Sequence, residues 1–356
     1  MDKVELEKAI QKTVLKMAME PKNVVHYHEL AKYYAMDNQY EKVISVYESL
    51  LDIDPKDLQT LLNLGGIWFY AKEYKKALKY FNEAVLVNPS NYLVYYNLGN
   101  TYAEMKNFSK ALHYYSRTLD FNSQEPEIYN AIALLYHDFE DYVEARAYYE
   151  KSLSIEPNNL TALIDLGNVC YKLYDYKQAL EYYNKVFALS PDNKTVALCI
   201  ANTLAIIKDQ SNCYEYFKLA LSLEGDNYKT YICYAIAASD FKDYDLAVEN
   251  YKKAIETNPQ EVNAYILLGN LYSNLKKYKE AEEQYREALK INKLDPSIFV
   301  LTANTYYMNN EIERSIYSYR AAVNLRPEND EYKLVFIQVL EDFMNDARKD
   351  DLIANF

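Results

Sequence analysis

The sequence predicts an all-α solenoid, in which antiparallel helix pairs stack side by side. Only 6 glycines and 9 prolines occur in 356 residues, whereas β-sandwiches and barrels need a turn about every ten residues. Seven of the prolines lie in one frame of 34 residues. Between them, apolar residues recur at helical spacing, and polar residues interrupt this spacing once in each 34-residue segment. A fixed period of this length is typical of stacked helical repeats.

The 34-residue frame runs from residue 24 to residue 329 without an insertion or deletion. With proline at position 32, nine repeats span 24–57, 58–91, 92–125, 126–159, 160–193, 194–227, 228–261, 262–295 and 296–329. Proline lacks the backbone N–H that a continuing helix needs, so it ends the second helix of a repeat. The frame positions hold Pro21, Pro55, Pro89, Ser123, Pro157, Pro191, Gly225, Pro259, Lys293 and Pro327.

Two positions of the repeat carry side chains of constant size. Glycine inside a helix costs about 0.5–1 kcal/mol relative to alanine, so we expect Gly99 and its equivalents to let a neighbouring helix approach closely. Most of the 40 tyrosines are assigned to packing, because the ring is buried while the hydroxyl stays hydrated. Position 8 is always small (Ala31, Gly65, Gly99, Ala133, Gly167, Ala201, Ala235, Gly269, Ala303), and position 24 is always aromatic (Tyr47, Phe81, Tyr115, Tyr149, Tyr183, Phe217, Tyr251, Tyr285, Tyr319).

A single helix is expected at each end of the array. In residues 1–23, Leu6, Ile10, Val14 and Met17 form one apolar stripe. Residues 330–356 continue the frame with one more helix and a tail, and Ile337 takes the position that is Gly or Ala elsewhere. Because a stack of repeats leaves an apolar surface at both ends, we expect both segments to be capping helices.

This pattern resembles the tetratricopeptide repeat, whose signature has a large residue at position 4, Leu at 7, a small residue at 8, Tyr at 11, Ala at 20, an aromatic at 24, Ala at 27 and Pro at 32. The resemblance covers residues 24–329. It implies a right-handed superhelix, in which the first helix of each pair lines a concave groove with positions 2, 5, 6, 9, 12 and 13. It also implies a non-enzymatic scaffold that binds a protein or peptide partner in that groove.

Asparagines recur at positions 6 and 9 of this groove. An amide offers hydrogen-bond donors and an acceptor, so it can bind the backbone of an extended peptide of any sequence. The alternative is that these amides bond neighbouring helices or water. Towards the C-terminal end the groove positions become apolar, which suits a hydrophobic partner segment or coverage by the chain itself. The predicted groove residues are Asn63, Asn97, Asn100, Asn168, Asn202, Asn270, Asn304, Tyr96, Tyr171, Lys172, Ile232, Ile266 and Val300.

The carboxylate clamp, with which some tetratricopeptide proteins bind the C-terminal tails of Hsp70 and Hsp90 chaperones, is incomplete in this sequence. The resemblance places its groups at His28, Lys32, Asn63, Leu93 and Asn97, so the basic pair required in the third repeat is missing. The partner is therefore not expected to be such a tail. Two alternative functions stay open: a targeting or regulatory subunit that delivers substrates to a separate enzyme, and a self-assembling structural protein.

The charge balance disfavours two classes of partner. The chain has 39 Lys and Arg against 52 Asp and Glu, a net charge of −13, which opposes binding to nucleic acid and to anionic membranes. The N-terminal residues lack the apolar core of a secretory signal, and no uncharged run approaches the ~18 residues of a spanning helix. The 4 cysteines form no C-x-x-C pair, so a reducing, cytoplasmic location is expected.

Catalytic and metal-binding patterns are missing from the sequence. No phosphate-binding loop, dinucleotide-binding, zinc-protease or serine-hydrolase motif occurs. His26 and His28 lie two residues apart, so on a helix they point in different directions. We therefore expect neither an enzyme nor a metal or other cofactor.

Overall fold

The computed structural model describes residues 3–354, with side chains described for residues 3–344. Within this range the chain forms twenty α-helices and no β-strand, which confirms the all-α class and the helix pairs. Helix α1 is Lys3–Met19, and α20 is Asp330–Ala354. Between them, the first helices of the repeats are α2 (Val24–Met36), α4 (Leu58–Tyr70), α6 (Tyr92–Glu104), α8 (Pro126–Asp138), α10 (Leu160–Lys172), α12 (Lys194–Ile206), α14 (Tyr228–Asp240), α16 (Val262–Asn274) and α18 (Pro296–Met308).

The second helices alternate with the first ones. Every first helix begins at the residue where the 34-residue frame starts a repeat. The second helices are α3 (Tyr40–Ile53), α5 (Tyr74–Val87), α7 (Phe108–Phe121), α9 (Tyr142–Ile155), α11 (Tyr176–Leu189), α13 (Gln210–Glu224), α15 (Tyr244–Thr257), α17 (Tyr278–Ile291) and α19 (Ile312–Leu325).

The chain divides into two compact units, with the boundary between Tyr182 and Tyr183 inside α11. Unit 1 contains α1 to α10, and unit 2 contains α12 to α20. Each unit has its own apolar core, made of buried small and aromatic residues from successive repeats. The two units are described separately below.

Most first helices are preceded by an Asn or Asp whose side chain caps the helix. Asp57 Oδ1 accepts a hydrogen bond from the backbone N–H of Thr60 at 2.7 Å, and Asn159 Oδ1 accepts one from Ala162 at 3.0 Å. Each such cap stabilises its helix by about 1 kcal/mol. The frame therefore carries a helix start signal at position 34, in addition to the proline at position 32.

The turn inside each repeat places one non-glycine residue in the left-handed region, with φ between 55° and 65°. The next residue donates its N–H to the carbonyl five residues earlier, as Glu73 does to Trp68 at 2.9 Å. These bonds form a Schellman motif, which usually has glycine at the left-handed position. The nine left-handed residues lie 34 apart: Asn38, Lys72, Lys106, Glu140, Tyr174, Lys208, Lys242, Lys276 and Asn310.

The small residue at position 8 receives the aromatic ring at position 24 of the same repeat. An ideal Cβ built on Gly99 would lie 2.5 Å from Cδ1 of Tyr115. The same construction on Gly65 lies 2.3 Å from Cε1 of Phe81. Real Cβ atoms do not approach a ring this closely, so the expectation that Gly99 permits a close helix approach is confirmed. The helix that approaches is the second helix of the same repeat.

Tyrosine at position 4 fastens the link between successive repeats. The Tyr95 hydroxyl donates to the backbone oxygen of Pro89 at 2.9 Å, and Tyr27 donates to that of Pro21 at 3.0 Å. The hydroxyl of a buried ring is thereby hydrogen-bonded while the ring packs against the core. Several of the 40 tyrosines thus hold the turn at position 32 as well as the core.

Helix α20 packs on α19 at the C-terminal end of unit 2. Val339 is buried with Ala303 and Tyr319, whereas Ile337 is 51% exposed. One further helix after residue 329 is therefore present. Residues 355 and 356 of the predicted tail lie outside the described residues.

Candidate functional site

The thirteen predicted groove residues all lie on first helices, but they fall in both units. In unit 1, α4 carries Asn63, α6 carries Tyr96, Asn97 and Asn100, and α10 carries Asn168, Tyr171 and Lys172. In unit 2, α12 carries Asn202, α14 carries Ile232, α16 carries Ile266 and Asn270, and α18 carries Val300 and Asn304.

Three of the asparagines at position 9 accept a hydrogen bond from the tyrosine at position 24 of their own repeat. The Tyr115 hydroxyl donates to Asn100 Oδ1 at 2.7 Å, and the Tyr285 hydroxyl donates to Asn270 Oδ1 at 2.7 Å. Tyr319 donates to Asn304 Oδ1 in the same way. These three side-chain amides therefore form hydrogen bonds to a neighbouring helix of the same chain, which was the alternative to binding a partner.

Asn100 also contacts a second tyrosine. Burial raises the pKa of the Tyr96 hydroxyl, and a hydrogen bond with Asn100 opposes this shift. Tyr115 is buried more deeply, and burial raises its pKa well above the usual range. The Asn100 amide is thus held in one orientation by two neutral phenols.

Two other predicted asparagines have different partners. Nδ2 of Asn63 donates to the Tyr47 hydroxyl at 2.8 Å, and its Oδ1 accepts from Nε2 of Gln59 at 3.0 Å. In unit 2, the Asn202 side chain hydrogen-bonds the Cys233 thiol. Asn63 thus connects α4 to α3, and Asn202 connects α12 to α14. Part of the hydrogen-bonding capacity of each amide is therefore used inside the fold.

The apolar positions predicted in unit 2 are largely covered by the unit itself. Ile232 is only 8% exposed, and it belongs to the core of α14 to α18. Ile266 packs against the same core, and Val300 packs against Ala303 and Tyr319. These residues offer less accessible apolar surface than their positions in the repeat suggest.

Unit 1 contains a cavity on the surface formed side by side by its first helices α4, α6, α8 and α10, which we call the first-helix face. The cavity has a volume of about 350 Å³ and lies chiefly between α6, α8 and α10. It includes the predicted residues Tyr96 and Asn100. Further lining residues that the sequence did not single out as a site are Glu127, Asn130, Leu134 and Thr161.

Carboxylates dominate the charge of this cavity. Four acidic residues line it, against a single lysine, and the sole salt bridge among them joins Nζ of Lys106 to Oδ2 of Asp138 at 3.1 Å. Among the described residues of unit 1, no lysine or arginine forms a salt bridge with Glu104, Glu127 or Asp165. The cavity therefore carries an excess of negative charge.

Asp165 is the most enclosed of the four carboxylates. Burial raises its pKa, while the charge of His137 and a hydrogen bond from Tyr149 act in the opposite direction. In the wall of the same cavity, the Oδ1 atom of Asn130 is buried and accepts no hydrogen bond within the described residues. The cavity thus has acceptor groups that the fold does not fully satisfy.

A second cavity in unit 1 is apolar. It has a volume of about 690 Å³ and lies between α2, α3 and α4. Gly66 contributes to its wall, and a Cβ built on this residue meets nothing within 4 Å. Because Gly66 takes the position at which several repeats have asparagine, the missing side chain widens this part of the first-helix face.

Thiol and metal chemistry find little support in the described part of the chain. Burial raises the pKa of Cys170 to about 11 and that of Cys213 to about 12, so both thiols are neutral at pH 7. All four cysteines are free. No cluster of three or more potential metal ligands occurs among the described residues. None of the helices in that range is both long and apolar enough to cross a membrane.

Comparison with protein families gives one consistent result. Family models described as tetratricopeptide repeat match residues 92–125, 124–192 and 238–304. A search of curated proteins found no match.

Similar solved structures include a tetratricopeptide repeat protein from Parabacteroides merdae. It is 15% identical, covers 70% of this chain and 98% of its own, and has a TM-score of 0.55. Yeast Tom70 is 16% identical, with 97% and 93% of the two chains covered and a TM-score of 0.49. Pseudomonas aeruginosa pilF is 19% identical, with 59% and 97% covered and a TM-score of 0.49. The first of these similarities supports the fold.

The period of 34 residues, the paired helices that follow it and the three family matches agree. The chain is a tetratricopeptide repeat protein.

Proposed function

We propose that this protein is a non-enzymatic scaffold that holds an extended segment of a partner protein against the first-helix face of unit 1. Tetratricopeptide repeats are in general protein-interaction scaffolds. The observation that carries the finer proposal is the cavity of about 350 Å³ between α6, α8 and α10. A concave site of this size, in which polar groups converge beside apolar and aromatic side chains, is typical of ligand binding.

The asparagine–tyrosine pairs contribute rigidity to this face. Asn100 and Tyr115 join the first and second helix of one repeat by a hydrogen bond of 2.7 Å, and Tyr115 is 2% exposed. A face whose polar groups are held by buried partners loses little conformational entropy when a ligand binds. Their proposed function is therefore to preorganise the face, with direct contact to the partner made by the residues around them.

A photoreactive amino acid placed on this face tests the proposal. Leu134 lines the cavity and is 53% exposed, whereas Val143 on α9 is 66% exposed and lies outside the cavity, which makes it a matched control. Irradiation in an extract of the source organism, followed by mass spectrometry, identifies the captured segment. That segment is then synthesised, and its affinity for the purified protein is measured.

We expect capture of one continuous segment from Leu134 and not from Val143, and we expect the synthetic segment to bind the purified protein. Capture from Val143 alone, or no capture from Leu134 under conditions in which the protein is folded, would show that the first-helix face of unit 1 is not the binding surface.

A further inference from the structure

We propose that the cavity between α6, α8 and α10 receives a basic side chain, arginine in preference to lysine, from the partner segment. This inference rests on the proposed function, because it names the chemistry of the segment that the first-helix face binds.

The charge of the cavity is complementary to a basic group. Glu104, Glu127 and Asp165 line the cavity without a salt bridge to any described lysine or arginine of unit 1, and Lys106 is paired with Asp138. An acidic or neutral ligand would leave these like charges uncompensated. A cationic group that enters between them gains from all three, and the gain increases as water leaves the cavity.

The cavity wall also contains a hydrogen-bond acceptor that the described residues leave without a donor. Oδ1 of Asn130 is a buried acceptor with no donor within the described residues. A buried acceptor without a partner costs about 1–3 kcal/mol. A guanidinium group has five N–H donors in a planar fork, so it can reach an amide oxygen and a carboxylate at the same time, whereas a lysine ammonium acts as a point charge.

Aromatic rings form part of the cavity wall. Phe69 and Tyr96 contribute aromatic surface to the cavity that the carboxylates line, whereas Tyr115 is only 2% exposed. Guanidinium groups stack on aromatic faces as well as pairing with carboxylates. The combination of rings, carboxylates and an unsatisfied amide oxygen therefore fits arginine better than a metal ion or a hydroxyl group.

The Asp165 carboxyl is partly buried in the free protein. Burial raises the pKa of this carboxyl, which means that its ionised form is poorly solvated in the free protein. A cation that binds beside it compensates this cost. Groups whose burial is unfavourable in the free state are common at binding and catalytic sites.

Defined peptide pools test the preference. All pools share a random extended sequence without charged residues and differ only at one central residue, which is arginine, lysine, glutamine, glutamate or leucine. Their affinities are measured for the wild-type chain, for Glu127→Gln with Asp165→Asn, and for Lys106→Gln. The matched control is Asp52→Asn with Glu7→Gln, which removes two exposed carboxylates of unit 1 outside the cavity.

For the wild-type chain, we expect the arginine pool to bind about tenfold or more tightly than the glutamine pool. The double variant in the cavity loses this preference, and the control keeps it. Lys106→Gln binds the arginine pool more tightly than the wild type, because it removes the positive charge that is paired with Asp138. A gain of affinity cannot arise from misfolding, so this variant keeps the test valid if the double variant unfolds.

Equal binding of the glutamine or leucine pool would overturn the basic preference while leaving the scaffold function intact. Binding that Lys106→Gln weakens would also overturn it. If no pool binds, the inference of a basic side chain is wrong. The proposed scaffold function is then also contradicted only if the crosslinker at Leu134 captures no segment.

Discussion

At the scale of single residues, two adjacent glycines of α4 have opposite roles. Gly65 faces the ring of Phe81, which is 1% exposed, and a Cβ at Gly65 would lie 2.3 Å from Cε1 of that ring. Gly66 points into open space beside the apolar cavity. The sequence shows only a Gly-Gly pair inside a helix, so the difference between the two residues follows from which face each of them occupies.

This pair makes a self-controlled prediction. Gly65→Ala is expected to destabilise the protein by about 1–3 kcal/mol, because a buried ring must move. Gly66→Ala is expected to stabilise it by about 0.5–1 kcal/mol, because alanine is the better helix former and meets no neighbour. Urea-induced unfolding measures both values. Equal effects of the two substitutions would contradict the assignment of Gly65 to close packing.

Asp165 gives a pH-dependent prediction. Its pKa is raised in the folded protein, so the folded state binds this proton more tightly than the unfolded state, and the associated stability is lost as pH rises through the folded pKa. The groups that face Asp165 are Tyr149 on α9 and His137 on α8, with Asp138 beside the histidine.

Asp165→Asn is therefore expected to raise the melting temperature at pH 7, since no charge is then buried. The difference from the wild type should shrink as the pH falls and Asp165 becomes protonated. Thermal unfolding followed by circular dichroism across this pH range measures it. A lower melting temperature of the variant at pH 7 would show that the ionised carboxylate is well compensated in the free protein.

At the scale of elements, the turn between paired helices was the least predictable feature. All nine repeats have a left-handed residue there, yet only Asn38 and Asn310 are of a type that favours this conformation. The sequence indicates a polar break and no more, because lysine, glutamate and tyrosine carry no signal for positive φ. The geometry follows from the Schellman hydrogen bonds and from the packing of both helices.

Lys72 tests the cost of this conformation. Its φ is 60°, and it is exposed. Lys72→Gly is expected to stabilise the chain by about 0.5–1 kcal/mol, because glycine adopts positive φ without a steric penalty. Lys72→Val should destabilise the chain by roughly 1 kcal/mol or more, because β-branched residues are the least compatible with a positive φ. Urea-induced unfolding measures the stability of the wild type and of both variants. A Lys72→Val variant that is more stable than the wild type would contradict this prediction.

At the scale of the whole molecule, the repeats were predictable and the candidate site was only partly so. The proline frame and the recurring small and aromatic positions predict the residue at which every first helix begins. The sequence predicts that the asparagines lie on first helices. Their tyrosine partners lie 15 residues later in the chain, and only folding brings the two side chains into contact. Glu127 and Asn130 were missed because they occupy different positions of one repeat, so no recurring residue type marks them.

Repeats six and seven, residues 194–261, depart most from the repeat pattern. Cys213 takes a fully buried position that is alanine in most repeats, Ala197 takes a fully buried position that is large in most repeats, and Gly225 ends α13 at a φ of 77° where most repeats have proline. Ala197 is smaller than the residues at this position in other repeats and loses packing contacts, which costs about 1 kcal/mol. Cys213 is larger than alanine, so its neighbours must accommodate an additional atom.

Hydrogen exchange within unit 2 checks this prediction. Core amides of residues 194–261 are expected to exchange faster than those of residues 262–329, because each repeat is stabilised mainly by its neighbours. Both segments belong to unit 2, so a difference in stability between the two units does not affect this comparison. Slower exchange in residues 194–261 would show that the substitutions are compensated locally.

The central claim is that a basic side chain binds between α6, α8 and α10, and the side-chain amide of Asn130 reports on it most directly. In a nuclear magnetic resonance titration with the arginine-centred peptide pool, the Asn130 amide signals are expected to shift with the same midpoint as binding. The amide of Asn270, which is bonded to Tyr285 in unit 2, serves as the reference and should stay unchanged. Binding that leaves Asn130 unshifted would contradict the claim.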